Sequence, residues 1–188
     1  MFSGEHAEKK GVLRSILSFV VTVAIIICAA WVLRTFVFQA YEIPSGSMED
    51  TIMTGDMVFS EKVTYYTSEP KYGDIITFAD PEIPSRTLIK RVIATGGQTV
   101  QLVDGKVYVD GEELDEPYTD GKETWPLVSR YGSSITYPYT VPEGELWVMG
   151  DNRTNSQDSR YFGSIPVSTV IGKALFTYWP PSSIGPLE

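Results

Sequence analysis

The sequence predicts a mainly β protein: an antiparallel β-domain preceded by one N-terminal transmembrane helix. Three observations carry this expectation. Ser15 to Leu33 is an almost wholly apolar run of 19 residues without a charge. Beyond Phe38 no long stretch keeps a helical period, and short β-branched or aromatic runs alternate with turn residues instead. Two Asp-Gly pairs, Asp104-Gly105 and Asp110-Gly111, separate alternating strands, the strongest short hairpin signal a sequence offers. The expected organisation is a cytoplasmic tail over 1–14, an anchor over 15–38 and an extracytoplasmic β-domain over 39–188.

The anchor comes first in the chain. At about 1.5 Å rise per residue, the uncharged run spans roughly the hydrocarbon thickness of a bilayer. Arg14 and Arg34 bracket it, and Trp31, Phe36, Phe38 and Tyr41 cluster at its far end, where amphipathic rings favour the headgroup region. Lys9, Lys10 and Arg14 precede the span, whereas Arg34 is the only base after it until Lys62; that asymmetry places the N-terminus inside. A cleaved secretory signal peptide is a competing reading, because Cys28-Ala29-Ala30 offers small residues for a cleavage site. The length of the run, continuing through Trp31, Val32 and Leu33, favours an anchor. A buried helix of a soluble domain is the third reading.

The strands follow in order. Met57–Phe59, Asp74–Phe78 and Thr87–Ala94 are rich in β-branched and aromatic residues. Thr99–Leu114 reads as a meander through the two Asp-Gly turns, and Glu145–Met149 and Val170–Trp179 supply later strands, with Trp147 expected in the core. Asp115–Tyr139, with Pro117, Pro126 and Pro138, is the most loop-like stretch.

Charge and residue counts exclude several function classes. The chain carries a formal charge of −9. All but two of its 24 acidic residues follow Phe38, against all but four of its 15 basic ones. So acidic a domain repels nucleic acid. A single cysteine, Cys28, allows no intrachain disulfide, and one Cys with one His cannot assemble a Cys/His zinc site. His6 is the only histidine, in the N-terminal tail, so a Ser–His–Asp or Cys–His site has no base in the β-domain. A pair of carboxylates stays open on composition, although no Asp-Thr-Gly segment occurs.

The remaining base for a serine is a neutral lysine. An ordinary lysine, with a pKa of about 10.4, is almost wholly protonated at pH 7, and burial among apolar groups lowers that value. Strand alternation puts Lys90 on the same face as Leu88 and Val92, whereas Lys62, Lys71, Lys106, Lys122 and Lys173 have turn or polar neighbours. An edge-strand lysine that guards against aggregation is the other reading of Lys90. In Ile43-Pro44-Ser45-Gly46-Ser47-Met48, Pro44 stiffens the approach and Gly46 permits a tight turn presenting Ser47. An ordinary Ser/Gly turn has the same composition.

These segments together resemble a known family. Pro44-Ser45-Gly46-Ser47-Met48 is similar to the nucleophile segment of type I signal peptidases. Leu88-Ile89-Lys90-Arg91-Val92-Ile93 resembles the segment that holds their general-base lysine. Gly73-Asp74-Ile75-Ile76 and the stretch from Gly150-Asp151-Asn152-Arg153 to Tyr161-Phe162-Gly163 resemble two further family segments, in the family's order. The resemblance implies a membrane-bound Ser/Lys endopeptidase of the single-anchor, Gram-positive-like form, cutting precursors after Ala-x-Ala-like residues. It implies Ser47 as nucleophile, Lys90 as base, and the Ser47 N–H with the Ser45 hydroxyl as oxyanion hole. Ser156 would orient Lys90, Asp158 and Arg160 would brace the site as an ion pair, and Ile43, Met48 and Ile89 would line small substrate pockets. Thr154 and Gln157 depart from the family pattern, where Asp and a small residue are common. The implied partners are signal-peptide-bearing precursors and the lipid bilayer, with no nucleic acid, metal or cofactor. Two rivals stand beside this reading: a self-cleaving repressor-type Ser/Lys hydrolase, and an inactive membrane-anchored β-domain that binds exported polypeptides. A solvated charge run also remains a reading of Asp151, Arg153, Asp158 and Arg160.

Overall fold

The computed structural model describes residues 3–128 and 134–187, with side chains from residue 14 onward. The tail side chains of His6, Lys9 and Lys10, and residues 129–133 of the loop-like stretch, lie outside the described residues. The chain divides into two compact units, Met1–Phe38 and Gln39–Glu188.

The first unit is a helix, α1 (Ser3–Val32), followed by one π turn over Leu33–Val37. The described side chains of the uncharged run are all exposed, including Ile16, Phe19, Ile25, Ile27 and Trp31. By length and composition, residues Arg14–Val37 suffice to cross a membrane.

The second unit is built from strands. They are β1 (Phe38–Glu42), β2 (Met57–Glu61), β3 (Ile75–Ala79), β4 (Thr87–Thr95), β5 (Thr99–Val103), β6 (Lys106–Val109), β7 (Glu112–Glu113), β8 (Tyr139–Thr140), β9 (Glu145–Met149), β10 (Ile165–Pro166), β11 (Val170–Trp179) and β12 (Gly185–Pro186). One sheet runs β1-β2-β11-β3-β4-β9-β10, with β12 beside β11; the other runs β7-β6-β5-β8. Both Asp-Gly pairs form two-residue hairpin loops. Asp104 and Gly105 have φ of 49° and 76°, and Asp110 and Gly111 have 53° and 87°, the left-handed pair a type I′ turn demands.

Alternation along the strands sorts side chains onto opposite faces. Leu146 and Val148 of β9 join Ile76, Phe78, Val92 and Ile165 in one core cluster. Trp147 and Met149, offset by one residue, join Ile93, Ala94, Val100 and Val107 in another. Trp147 is fully buried, edge-on to Tyr137 and tilted against Tyr139, as its strand context predicts. A third cluster holds Ile43, Met48, Ile52, Val58, Ile75 and Ala174. Strand β4 pairs with β3 along Thr87–Arg91, but β9 joins its other side only from Arg91 onward. The N-terminal half of β4 therefore offers a sheet edge beside Lys90.

Candidate active site

The site forms where β4 meets the turn after β1. Ser45 approaches in extended backbone, and Gly46–Met48 close one 3-10 turn. The turn buries Met48 in the core and presents Ser47, which is 8% exposed. From β4, Lys90 reaches the same point while only 3% exposed. Its Nζ donates to Ser47 Oγ at 2.7 Å and to the Ile89 carbonyl at 2.9 Å.

Burial pulls the Lys90 amine down to about 8, because an ammonium loses its water there. The carboxylates of Asp158 and Asp151 oppose that fall, while Arg86 and Arg160 add to it. Among the described residues this is the lysine that combines burial with a serine hydroxyl. Lys173, by contrast, is tied to Asp74 at 2.6 Å, Lys122 to Asp50 and Lys106 to Glu113.

A third segment, following β9, closes around the pair. Asp158 and Arg160 form a bidentate ion pair, with Nε to Oδ1 at 2.9 Å and Nη2 to Oδ2 at 2.8 Å. Burial alone pushes the Asp158 carboxyl up, but the Arg160 guanidinium and the Gly150 N–H outweigh it and hold the group below the usual range. Arg91 grips Asp151 in the same bidentate way, at 2.9 and 2.8 Å, beneath the Tyr118 ring. Arg153 does so with Glu116, at 2.8 and 2.7 Å. Asp151, Arg153, Asp158 and Arg160 are each at most 1% exposed. The solvated charge run is thus corrected: the segment is a buried ionic scaffold, because each charge finds a geometrically matched partner.

Gly150 sits where the scaffold touches the nucleophile turn. A β-carbon there would collide with the Ser47 carbonyl oxygen and with Ser156 Oγ. Lys90 Nζ donates to Ser47 Oγ and to the Ile89 carbonyl, and the expected bond to Ser156 is not among its contacts in this structure; the Ser156 hydroxyl instead helps hold the Asp158 carboxyl down. Ser45 is exposed at the mouth of the turn.

Ser45, Ser47, Lys90 and Ser156 open onto one cleft of about 540 Å³. Its apolar lining comes from Leu88, Leu127, Val128 and Phe162. Ile43, Met48 and Ile89, expected to line pockets, are not among the cleft residues. Ile43 and Met48 are buried in the third core cluster, and Ile89 packs half-buried against it. Leu88 shares the Lys90 face and was identifiable by strand alternation; Leu127, Val128 and Phe162 carry no local signal that brings them here. The arrangement, a buried amine on a serine hydroxyl beside an apolar cleft and an open sheet edge, suits nucleophilic attack on an extended polypeptide.

Comparison with known proteins identifies the family. Residues 16–179 match the family described as signal peptidase, peptidase S26. The chain is 41% identical over 165 residues to the probable signal peptidase I-1 of Synechocystis sp., covering 84% of this chain and 80% of that protein. It is 37% identical over 173 residues to a signal peptidase I of Leptolyngbya laminosa, covering 88% and 81%. A crystal structure of a signal peptidase I from Enterococcus faecalis aligns at a TM-score of 0.47 with 33% identity, covering 56% of this chain and 97% of that one.

Proposed function

Because the chain belongs to the signal peptidase, peptidase S26, family, we propose that Ser47 and Lys90 are the nucleophile and general base of its reaction. The enzyme is a membrane-associated serine endopeptidase that removes signal peptides from precursor proteins. The observation that carries the assignment is the 2.7 Å contact between Lys90 Nζ and Ser47 Oγ around a buried amine.

Neutral Lys90 accepts the Ser47 proton as Oγ bonds to the scissile carbonyl carbon. The carbonyl oxygen takes the negative charge, opposite the Ser47 N–H and the Ser45 hydroxyl. The Lys90 ammonium then protonates the departing amine, which is the new N-terminus of the mature protein. Lys90, neutral again, takes a proton from water as the water oxygen bonds to the acyl carbon, and returns that proton to Ser47 Oγ as the ester bond breaks. Ser156, which lines the cleft with Lys90, receives a Lys90 N–H as the ammonium forms. The Asp158–Arg160 pair fixes the segment carrying Ser156.

The substrate lies extended along Thr87–Lys90, where β4 lacks a second neighbour. Leu88, Leu127, Val128 and Phe162 narrow the cleft to small side chains, giving the Ala-x-Ala-like preference. The segment over 15–38 anchors the chain in the cell membrane with residues 1–14 in the cytoplasm and the β-domain outside. Ser47 then follows the span by few residues, and the tether raises the effective concentration of cleavage sites emerging at the same surface.

Full-length protein in detergent, incubated with a precursor peptide carrying one Ala-x-Ala site, tests this function. Mass spectrometry should find one cut, after the second alanine. Cuts at unrelated sites, or none in any precursor, contradict it.

A further inference from the structure

The geometry points to Asn152 as a positioning residue that aims the oxyanion-binding N–H of Ser47, with Thr154 holding its amide in the working orientation. The inference rests on the assignment of Ser47 as nucleophile, and concerns a residue given no role above.

Asn152 reaches across from the scaffold segment to the nucleophile turn twice. Its Nδ2 donates to the Gly46 carbonyl at 2.9 Å, and its backbone N–H donates to the Ser47 carbonyl at 3.2 Å. The Gly46 carbonyl also accepts the Glu49 N–H, at 3.3 Å. Gly46 C=O and Ser47 N–H belong to one planar trans peptide, so they point in opposite directions. A donor that fixes the Gly46 oxygen therefore fixes the direction of the Ser47 N–H, away from Asn152. Asn152 is only 8% exposed and is itself held at both ends. Thr154 Oγ1 donates to Asn152 Oδ1 at 3.2 Å, and the Asn155 N–H donates to the Asn152 carbonyl at 3.0 Å. With Oδ1 occupied by a donor, the amide presents Nδ2 and not Oδ1 to the Gly46 carbonyl. Gly150 completes the clamp, since only a residue without a β-carbon lets the scaffold approach the Ser47 carbonyl this closely.

An N–H that is pre-aimed at the developing oxyanion stabilises the transition state more than the bound substrate. Loss of the Asn152 amide should therefore lower kcat and leave KM nearly unchanged. It should leave the pH midpoint in place, because Asn152 carries no charge and makes no hydrogen bond to Lys90.

The test compares wild type, Asn152→Ala, Thr154→Val and Ser47→Ala as full-length proteins in detergent. Steady-state cleavage of a precursor peptide, its pH profile, inhibition by a substrate-like peptide aldehyde and the melting temperature are measured together. Asn152→Ala should lose about 10²-fold in kcat, the scale of one oxyanion donor. Its affinity for the aldehyde, which forms a tetrahedral adduct on Ser47, should fall in parallel. Thr154 is exposed, so Thr154→Val should fold as wild type and lose kcat in the same direction by less. If Ser47→Ala is inactive while folded Asn152→Ala or Thr154→Val cleaves at the wild-type rate, the inference alone is overturned. A shifted pH midpoint accompanying the loss also overturns it, since the residue would then act through Lys90. If Ser47→Ala cleaves as wild type, the underlying assignment falls as well.

Discussion

Lys90 Nζ lies 2.7 Å from Ser47 Oγ, although 43 positions of sequence separate the two residues. The contact exists because β4 carries Lys90 inward on an apolar face while the Gly46–Met48 turn lowers Ser47 onto it. Its chemical consequence follows from burial, which brings the amine to about 8. At that value a useful fraction of the base is neutral near physiological pH.

The first prediction concerns pH. A general base works only when deprotonated, so kcat/KM should be low in acid and level off above about 8. Below that midpoint it should fall about tenfold per pH unit. Cleavage of a precursor peptide from pH 6 to 9.5, at constant ionic strength, measures this directly. A flat profile over that range would contradict the role of Lys90.

The same lowered pKa makes Lys90 a cost to stability. Its folded value lies below the 10.5 of a free lysine, so between about 8 and 10.5 the unfolded chain binds more protons than the folded one. Stability contributed at this position therefore rises with pH across that window. Against Lys90→Met, wild type should gain about 3 kcal/mol in unfolding free energy between pH 7 and pH 11. Denaturant titrations of both proteins at the two pH values read the difference, and an equal response would contradict it.

Gly150→Ala tests the close approach of the scaffold to the nucleophile turn. The added methyl group meets the Ser47 carbonyl and Ser156 Oγ, so either the turn or the scaffold must move. A displacement of the nucleophile by about 1 Å typically lowers the rate about 10²-fold. Activity should fall by that order, with a smaller change in melting temperature than a core cavity produces.

The buried ion pair makes a stability prediction of its own. Arg160→Leu leaves the fully buried Asp158 carboxylate without its partner and should destabilise by about 3–5 kcal/mol at pH 7. Adding Asp158→Asn should recover part of that loss, because no buried charge then remains. Chemical denaturation of both single variants and the double variant measures the coupling. The Asp158 carboxyl is held below its ordinary value, so its contribution in wild type is lost as pH falls through that lowered value.

Features governed by local chemistry were legible in the sequence. Glu145–Met149 and Val170–Trp179 are strands at the residues their composition marks. The Asp-Gly turns adopt the left-handed backbone that those residues favour. Lys90 stood out because alternation gave it apolar company, and in the structure it lines the cleft together with Leu88. What depended on distant partners was not legible. Arg153 looks solvent-bound until Glu116, 37 positions away, is seen against it. Asn152 gains its role from Gly46, 106 positions away, which no local pattern announces. Ile43, Met48 and Ile89 were assigned to pockets by resemblance; they lie in a core cluster, while Leu127, Val128 and Phe162, which no local pattern announces, line the cleft.

The most direct test of the Ser47–Lys90 pair compares wild type, Ser47→Ala, Lys90→Ala and Lys90→Arg as full-length proteins in detergent on one precursor peptide. Wild type should cut after the Ala-x-Ala-like site, and all three variants should fail while keeping their folded circular dichroism. Lys90→Arg should be as inactive as Lys90→Ala, because a guanidinium stays protonated and cannot accept the serine proton. Cleavage by Ser47→Ala at the wild-type rate, or substantial cleavage by Lys90→Arg, would contradict the assignment.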